Sequence, residues 1–267
     1  MVLLLRLLSF LSHTILIFRK NVIRIWARVT YLNPTLIWLL RWRLRSAFSF
    51  NPRESQTPNL GEIPVTYINL DRRPDRAEQI VREFSRLRLG APERFPAVED
   101  DNPMLGAAKS HLAVLENFAS SSLNSLIMVC EDDLIFSGSR AELERAVQEF
   151  ANDPRLDVLC LAYMIKNTTR AVKGKEVRAR EHLLISNQIL TQACYVLKPS
   201  AVTPIIRSLR QSVRLLSAGL QWRYAAGDVY WQTLQQGRLF FAYPERRLAR
   251  QSAGHSDIWS IYKDLDV

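Results

Sequence analysis

A chain of 267 residues, 48% of them hydrophobic, can bury a full core, and its formal net charge of +10 would suit a nucleic-acid or membrane partner. Residues 1–53, however, hold nine basic residues and no acidic one, which leaves the rest of the chain at +1. So neutral a body excludes a general nucleic-acid binder, and three cysteines at no metal or disulfide spacing exclude a disulfide-stapled fold.

Val2 to Phe18 is largely apolar and closed by Arg19 and Lys20. It is short for a bilayer span, and its charges follow the apolar run, unlike those of a cleavable signal peptide. The positive-inside rule then keeps the body at the cytoplasmic face of a membrane. Leu36 to Ala47 interleaves Trp38 and Trp42 with Arg41, Arg43 and Arg45, which suits a helix lying among anionic headgroups. The expected organisation is a membrane-associating segment over 1–48, a Pro- and Ser-containing linker over 49–63, and one domain over 64–267.

Within that domain, Val65–Leu70 reads as a strand. Ala77, Ile80, Val81, Phe84 and Leu87 recur at helical spacing after Pro74. Strands near Arg94–Val98, Asp157–Ala162, Leu183–Ser186, Gln192–Leu197 and Leu239–Ala242 alternate with helices near 107–119, 143–150, 201–213 and 229–235. From Tyr243 onward the tail reads as irregular. Such alternation predicts an α/β fold, a mostly parallel sheet with helices on both faces.

The centre of the pattern is Leu126–Leu134, five apolar residues running into Glu131, Asp132 and Asp133. Ligands of open α/β sheets bind beyond the carboxyl ends of strands. Two unit charges about 5 Å apart at an effective dielectric of roughly 20 repel by about 3 kcal/mol, so the triad predicts a divalent metal site, Mn2+ or Mg2+. Asp71, Arg72, Arg73 and Arg76 leave the first strand on the same side and are expected to grip a diphosphate and a ribose or base. His111 is a candidate nucleotide contact, with a hydrogen-bonded structural histidine as the alternative. Asp228, opening a helix, is the candidate general base, with an ordinary helix cap as the alternative.

Tyr67-Ile68-Asn69-Leu70-Asp71-Arg72-Arg73-Pro74-Asp75-Arg76, then Gly106, Ser110-His111, Glu131-Asp132-Asp133, Tyr195, Asp228, Pro244, Gln251 and Ser256-Asp257-Ile258 occur in this order. The set resembles glycosyltransferase family 25, which includes bacterial lipooligosaccharide galactosyltransferases and collagen hydroxylysine galactosyltransferases. It covers about residues 65 to 258. The pattern departs at Ala107, where cysteine is common, and at Lys109. The resemblance implies a GT-A fold and an inverting, metal-dependent hexosyltransferase that takes galactose from UDP-galactose to a saccharide or glycolipid acceptor in cell-surface glycan biosynthesis. It also implies donor contacts at Gln251, Ser256 and Asp257. A non-catalytic nucleotide-sugar-binding or scaffold protein of the same fold is the alternative. In a eukaryote the amino terminus would instead be a type II anchor in the Golgi or ER, with Asn167-Thr168-Thr169 a usable sequon.

Overall fold

The computed structural model describes residues 34–48, 59–121, 125–165, 177–252, 254–256 and 261–263. The apolar stretch Val2–Phe18, most of the linker, Asn167 and Asp257 lie outside the described residues. No described helix is long and apolar enough to cross a membrane.

The strands are β1 (Val65–Asn69), β2 (Glu93–Pro96), β3 (Ile127–Glu131), β4 (Leu134–Phe136), β5 (Val158–Ile165), β6 (Val177–Arg178), β7 (Leu183–Ser186), β8 (Ile189–Leu197), β9 (Phe241–Pro244), β10 (Ala249–Gln251), β11 (Gly254–Ser256) and β12 (Ile261–Lys263). Eight of them form one sheet in the order β2-β1-β3-β8-β5-β9-β7-β6. β1 pairs in parallel with β2 and β3, and β5 with β9. β8 lies antiparallel between β3 and β5, and β7 antiparallel between β9 and β6, so six strands share one direction.

The helices are α1 (Pro34–Phe48), α2 (Pro74–Arg86), α3 (Pro103–Ser121), α4 (Arg140–Ala151), α5 (Pro199–Ser217) and three short ones, α6 (Trp222–Ala225), α7 (Gly227–Tyr230) and α8 (Gln232–Gly237). Strand periodicity divides the interior into two layers. Met128, Cys130, Leu159 and Leu161 face one side with Ile80 and Phe84 of α2 and Leu143, Val147 and Phe150 of α4. Ile127, Val129, Val158 and Cys160 face the other with Leu115 and Phe118 of α3 and Val202, Ile205 and Leu209 of α5. The central apolar run is thus buried on both faces. Local signals agree with the packing: Pro74 occupies the first turn of α2, and Ser139 with Glu142 forms a capping box at α4.

Two expectations are corrected. The tail is not irregular, because β10 pairs antiparallel with β4 in register Gln251↔Leu134, which returns Gln251 to the end of the acidic run. The aromatic face of α1 turns toward the protein rather than toward lipid. Trp38 and Trp42 are buried in the first layer, with ring centroids 6.0 and 5.1 Å from that of Phe240. Arg45 donates to both oxygens of buried Asp157 at 2.7 and 3.0 Å, and the Arg155 guanidinium lies 4.4 Å over Trp42. Residues 34–48 therefore pack as part of the body. Leu40 and Leu44 remain exposed on the opposite face.

Candidate active site at the carboxyl edge of the sheet

β1 and β3 end side by side, with Ile68 in register with Glu131, so the segments after Asn69 and Glu131 leave the sheet from one edge. A cleft opens there whose empty volume, mouth included, is about 870 Å³. Arg72, Arg76, Ser110, His111, Glu131, Asp132, Asp133 and Gln251 all line it.

Within the cleft the acidic cluster is held by the protein itself. Arg76 Nη1 lies 3.2 Å from Asp132 Oδ1 and 3.9 Å from Asp133 Oδ2. Asn69 Nδ2 donates to Asp132 Oδ2 at 2.7 Å and also to the Arg73 carbonyl. Gln251 Nε2 donates to Glu131 Oε2 at 2.9 Å and to Asp133 Oδ2 at 3.4 Å. A divalent ion is therefore not the only relief of the repulsion: one guanidinium and two amides share it. Burial raises the Asp132 carboxyl while Asn69 and Arg76 oppose the rise. Burial and then the charge of Glu131 push Asp133 up to about 7, against the pull of Arg76. Asp133 Oδ1 is buried with no hydrogen-bond partner.

That orphaned oxygen is the observation that fits a hard cation, since carboxylate oxygens are its natural ligands. The three carboxylates do not yet converge. Among the described residues, the group of three metal-type side chains with ligand atoms all within 4.8 Å is Glu149, Glu181 and His182, away from the cleft and beside Arg145.

The opposite wall is α3. A Cβ on Gly106 would meet the Val98 carbonyl at 2.8 Å, so only glycine lets this helix touch the 97–100 loop so closely. Ser110 Oγ accepts from Val98 N and donates to the Gly106 carbonyl, both at 2.8 Å, which fastens the same loop. His111 is buried, its Nδ1 3.0 Å from Tyr195 Oη and its Nε2 3.4 Å from Glu131 Oε1. A buried chain thus runs from Tyr195 through His111 to a carboxylate in the cleft.

Other expected site residues are placed elsewhere. Asp71 is exposed and pairs with Arg94, which also donates from Nε to Asn69 Oδ1 at 2.8 Å. Arg73 pairs with Asp75 at the start of α2, at 2.9 Å. Neither Asp71 nor Arg73 lines the cleft. Asp228 does not line it either: its Oδ2 accepts from Thr191 N at 3.1 Å. Burial pushes its carboxyl up, and the amides of Thr191 and Val229 oppose the rise. Ser256 lies in β11, paired with β12.

Thr191, the residue Asp228 holds, has φ 73°, a left-handed conformation unfavourable for a β-branched side chain. It lines a second, smaller hollow with Tyr163, Met164, Arg247, Arg250 and Gln251. Gln251 belongs to both walls, so the hollow adjoins the acidic cluster.

No model of a known family matches the chain, and no curated protein does. Solved structures similar to it include the following three. A197 from STIV is 13% identical at a TM-score of 0.37, over 67% of this chain and 81% of that one. Mannose-1-phosphate geranyltransferase from Thermus thermophilus is 9% identical at 0.35, over 67% and 58%. CTP:phosphocholine cytidylyltransferase from Streptococcus pneumoniae is 8% identical at 0.36, over 71% and 93%. At these TM-scores the likenesses carry no argument about the site.

Sequence reasoning assigned no role to Asn69, Arg94, Tyr195, Thr191, Arg247 or Arg250. Asn69 and Tyr195 stood inside the ordered motif set, which was the available signal. The two tail arginines had none, because nothing local shows that β10 returns to β4.

Proposed function

We propose that the chain is a nucleotide-sugar-dependent glycosyltransferase resembling glycosyltransferase family 25, with UDP-galactose the leading donor and a saccharide or glycolipid the acceptor. The carrying observation is the single cleft that gathers Arg72, Arg76, His111, Glu131, Asp132, Asp133 and Gln251 where β1 and β3 end. Arg72 and Arg76 provide guanidinium groups for a diphosphate, the bidentate partner such anions favour. Asp133, with Asp132 beside it, would hold a divalent ion, which would supply Lewis-acid neutralisation of the leaving diphosphate.

In the reaction the acceptor oxygen forms a bond to the anomeric carbon as that carbon's bond to the phosphate oxygen breaks. The electron pair leaves with UDP, where Arg72 and Arg76 meet the new charge. The acceptor proton goes to a carboxylate within hydrogen-bond reach. Glu131 now fits this role better than Asp228, because it lines the cleft while Asp228 braces the Thr191 backbone. His111 and Gln251 hold Glu131 in place.

The test is UDP release from UDP-sugars with manganese present. Glu131→Gln is expected to lower turnover by about 10²–10⁴-fold, the usual worth of a general base. Asp228→Asn keeps an acceptor for the Thr191 amide and is expected to stay within about tenfold. The reverse ranking would return the base to Asp228. Absence of UDP release from every UDP-sugar, with UDP still bound in the cleft, would favour the non-catalytic alternative.

A further inference from the structure

The arginines around β10 differ in how they are satisfied. Arg246 pairs with Glu142 at 2.9 Å, and nearby Arg178 pairs with Glu245 at 3.0 Å. Arg247 and Arg250 form no ion pair among the described residues. Arg247 Nε is buried without a hydrogen-bond partner, and its guanidinium lies 5.4 Å from the centre of the Tyr163 ring. Tyr163 in turn is fixed by its hydroxyl, which donates to the Pro244 carbonyl at 2.8 Å. Arg250 makes one weak bond, from Nη1 to the Gln251 carbonyl at 3.4 Å. Both side chains line the second hollow, where strained Thr191 also sits.

Guanidinium groups cannot shed their charge, so two that border one hollow with no carboxylate partner among the described residues are suited to an anion as their complement. We propose that the second hollow is the anion-binding end of the acceptor subsite, and that it takes the phosphate or carboxylate group of a saccharide at Arg247 and Arg250. The inference rests on the transferase reading, since it places the acceptor beside the donor cleft, with Gln251 lining both. A neutral sugar would leave both cations uncompensated, whereas an anionic one gains charge-assisted, bidentate bonds. The donor diphosphate has its own pair, Arg72 and Arg76, in the first cleft.

Isothermal titration of the full chain with glucose 6-phosphate, glucuronate and methyl glucoside, and separately with UDP and manganese, tests this. The two anionic sugars should bind roughly tenfold or more tighter than methyl glucoside. Whichever of the two binds tighter identifies the charged group as phosphate or carboxylate. Replacing both arginines (Arg247→Gln, Arg250→Gln) should remove that advantage and leave UDP affinity within about twofold. Arg250→Lys, which keeps the charge and guards against a folding defect, should retain part of it. Equal binding of charged and neutral sugars, or anion binding untouched in the double variant, would overturn the proposal. So would a parallel loss of UDP affinity, which would assign the pair to the donor. Arginine-dependent sugar-phosphate binding with no UDP binding at all would remove the transferase reading and with it the acceptor assignment, leaving an anion site.

Discussion

Arg76→Met is expected to cost the fold about 3 kcal/mol at pH 8 and much less at pH 5. Arg76 is the cation that stands between two largely buried carboxylates, 3.2 Å from Asp132 and 3.9 Å from Asp133. Removing one partner of a buried pair leaves the other charge uncompensated, which typically costs about 3–5 kcal/mol. The cost here falls in acid, because both carboxyls are already raised and take up protons more readily once the guanidinium is gone. Urea unfolding at the two pH values measures it. An equal loss at both would mean that Arg76 matters through packing rather than charge. On the proposed transferase reading the same variant is expected to lose UDP binding, since this side chain also lines the cleft.

The opposite sign is expected at the neighbouring position. The Asp133 carboxyl is pushed up to about 7 in the folded protein from an ordinary value of 3.8. Between those two values the folded state holds a proton that the unfolded chain has released. Its contribution to stability is fully present below pH 3.8 and is lost as pH rises through about 7. Above that point the ionised, buried carboxylate burdens the fold by on the order of 4 kcal/mol. Asp133→Asn should therefore match the wild type near pH 4, exceed its stability at pH 8 by a few kcal/mol, and flatten the slope between. On the proposed transferase reading the stabilised variant should also lose transfer activity. Manganese should raise the melting temperature of the wild type more at pH 8 than at pH 5.5, because a ligand must first lose its proton, and should do little for Asp133→Asn. A variant no more stable at pH 8 would contradict the burial argument.

These two effects could not be read from the linear chain. The acidic run showed where charge accumulates, and the buried strand before it was legible from five apolar residues in a row. What neutralises the charge was not legible, because Asn69 and Arg76 reach Asp132 from 63 and 56 positions away and Gln251 reaches Glu131 from 120. The α1 helix failed for a related reason. Alternating tryptophan and arginine fits a lipid headgroup layer and a protein face equally well, and the deciding partner, Asp157, lies 112 positions from Arg45. β10 is three residues long and exists by pairing with β4, so neither period nor composition marks it. The elements with long amphipathic patterns, α2 and α5, were found where their spacing placed them.

The central claim is that a nucleotide sugar binds where β1 and β3 end. Hydrogen–deuterium exchange of the full chain with and without UDP-galactose and manganese tests it most directly. The account predicts protection in peptides spanning Leu70–Arg76, Ala97–His111 and Glu131–Leu134 and in the one containing Gln251. Binding that leaves those four peptides unchanged and protects another surface would contradict it.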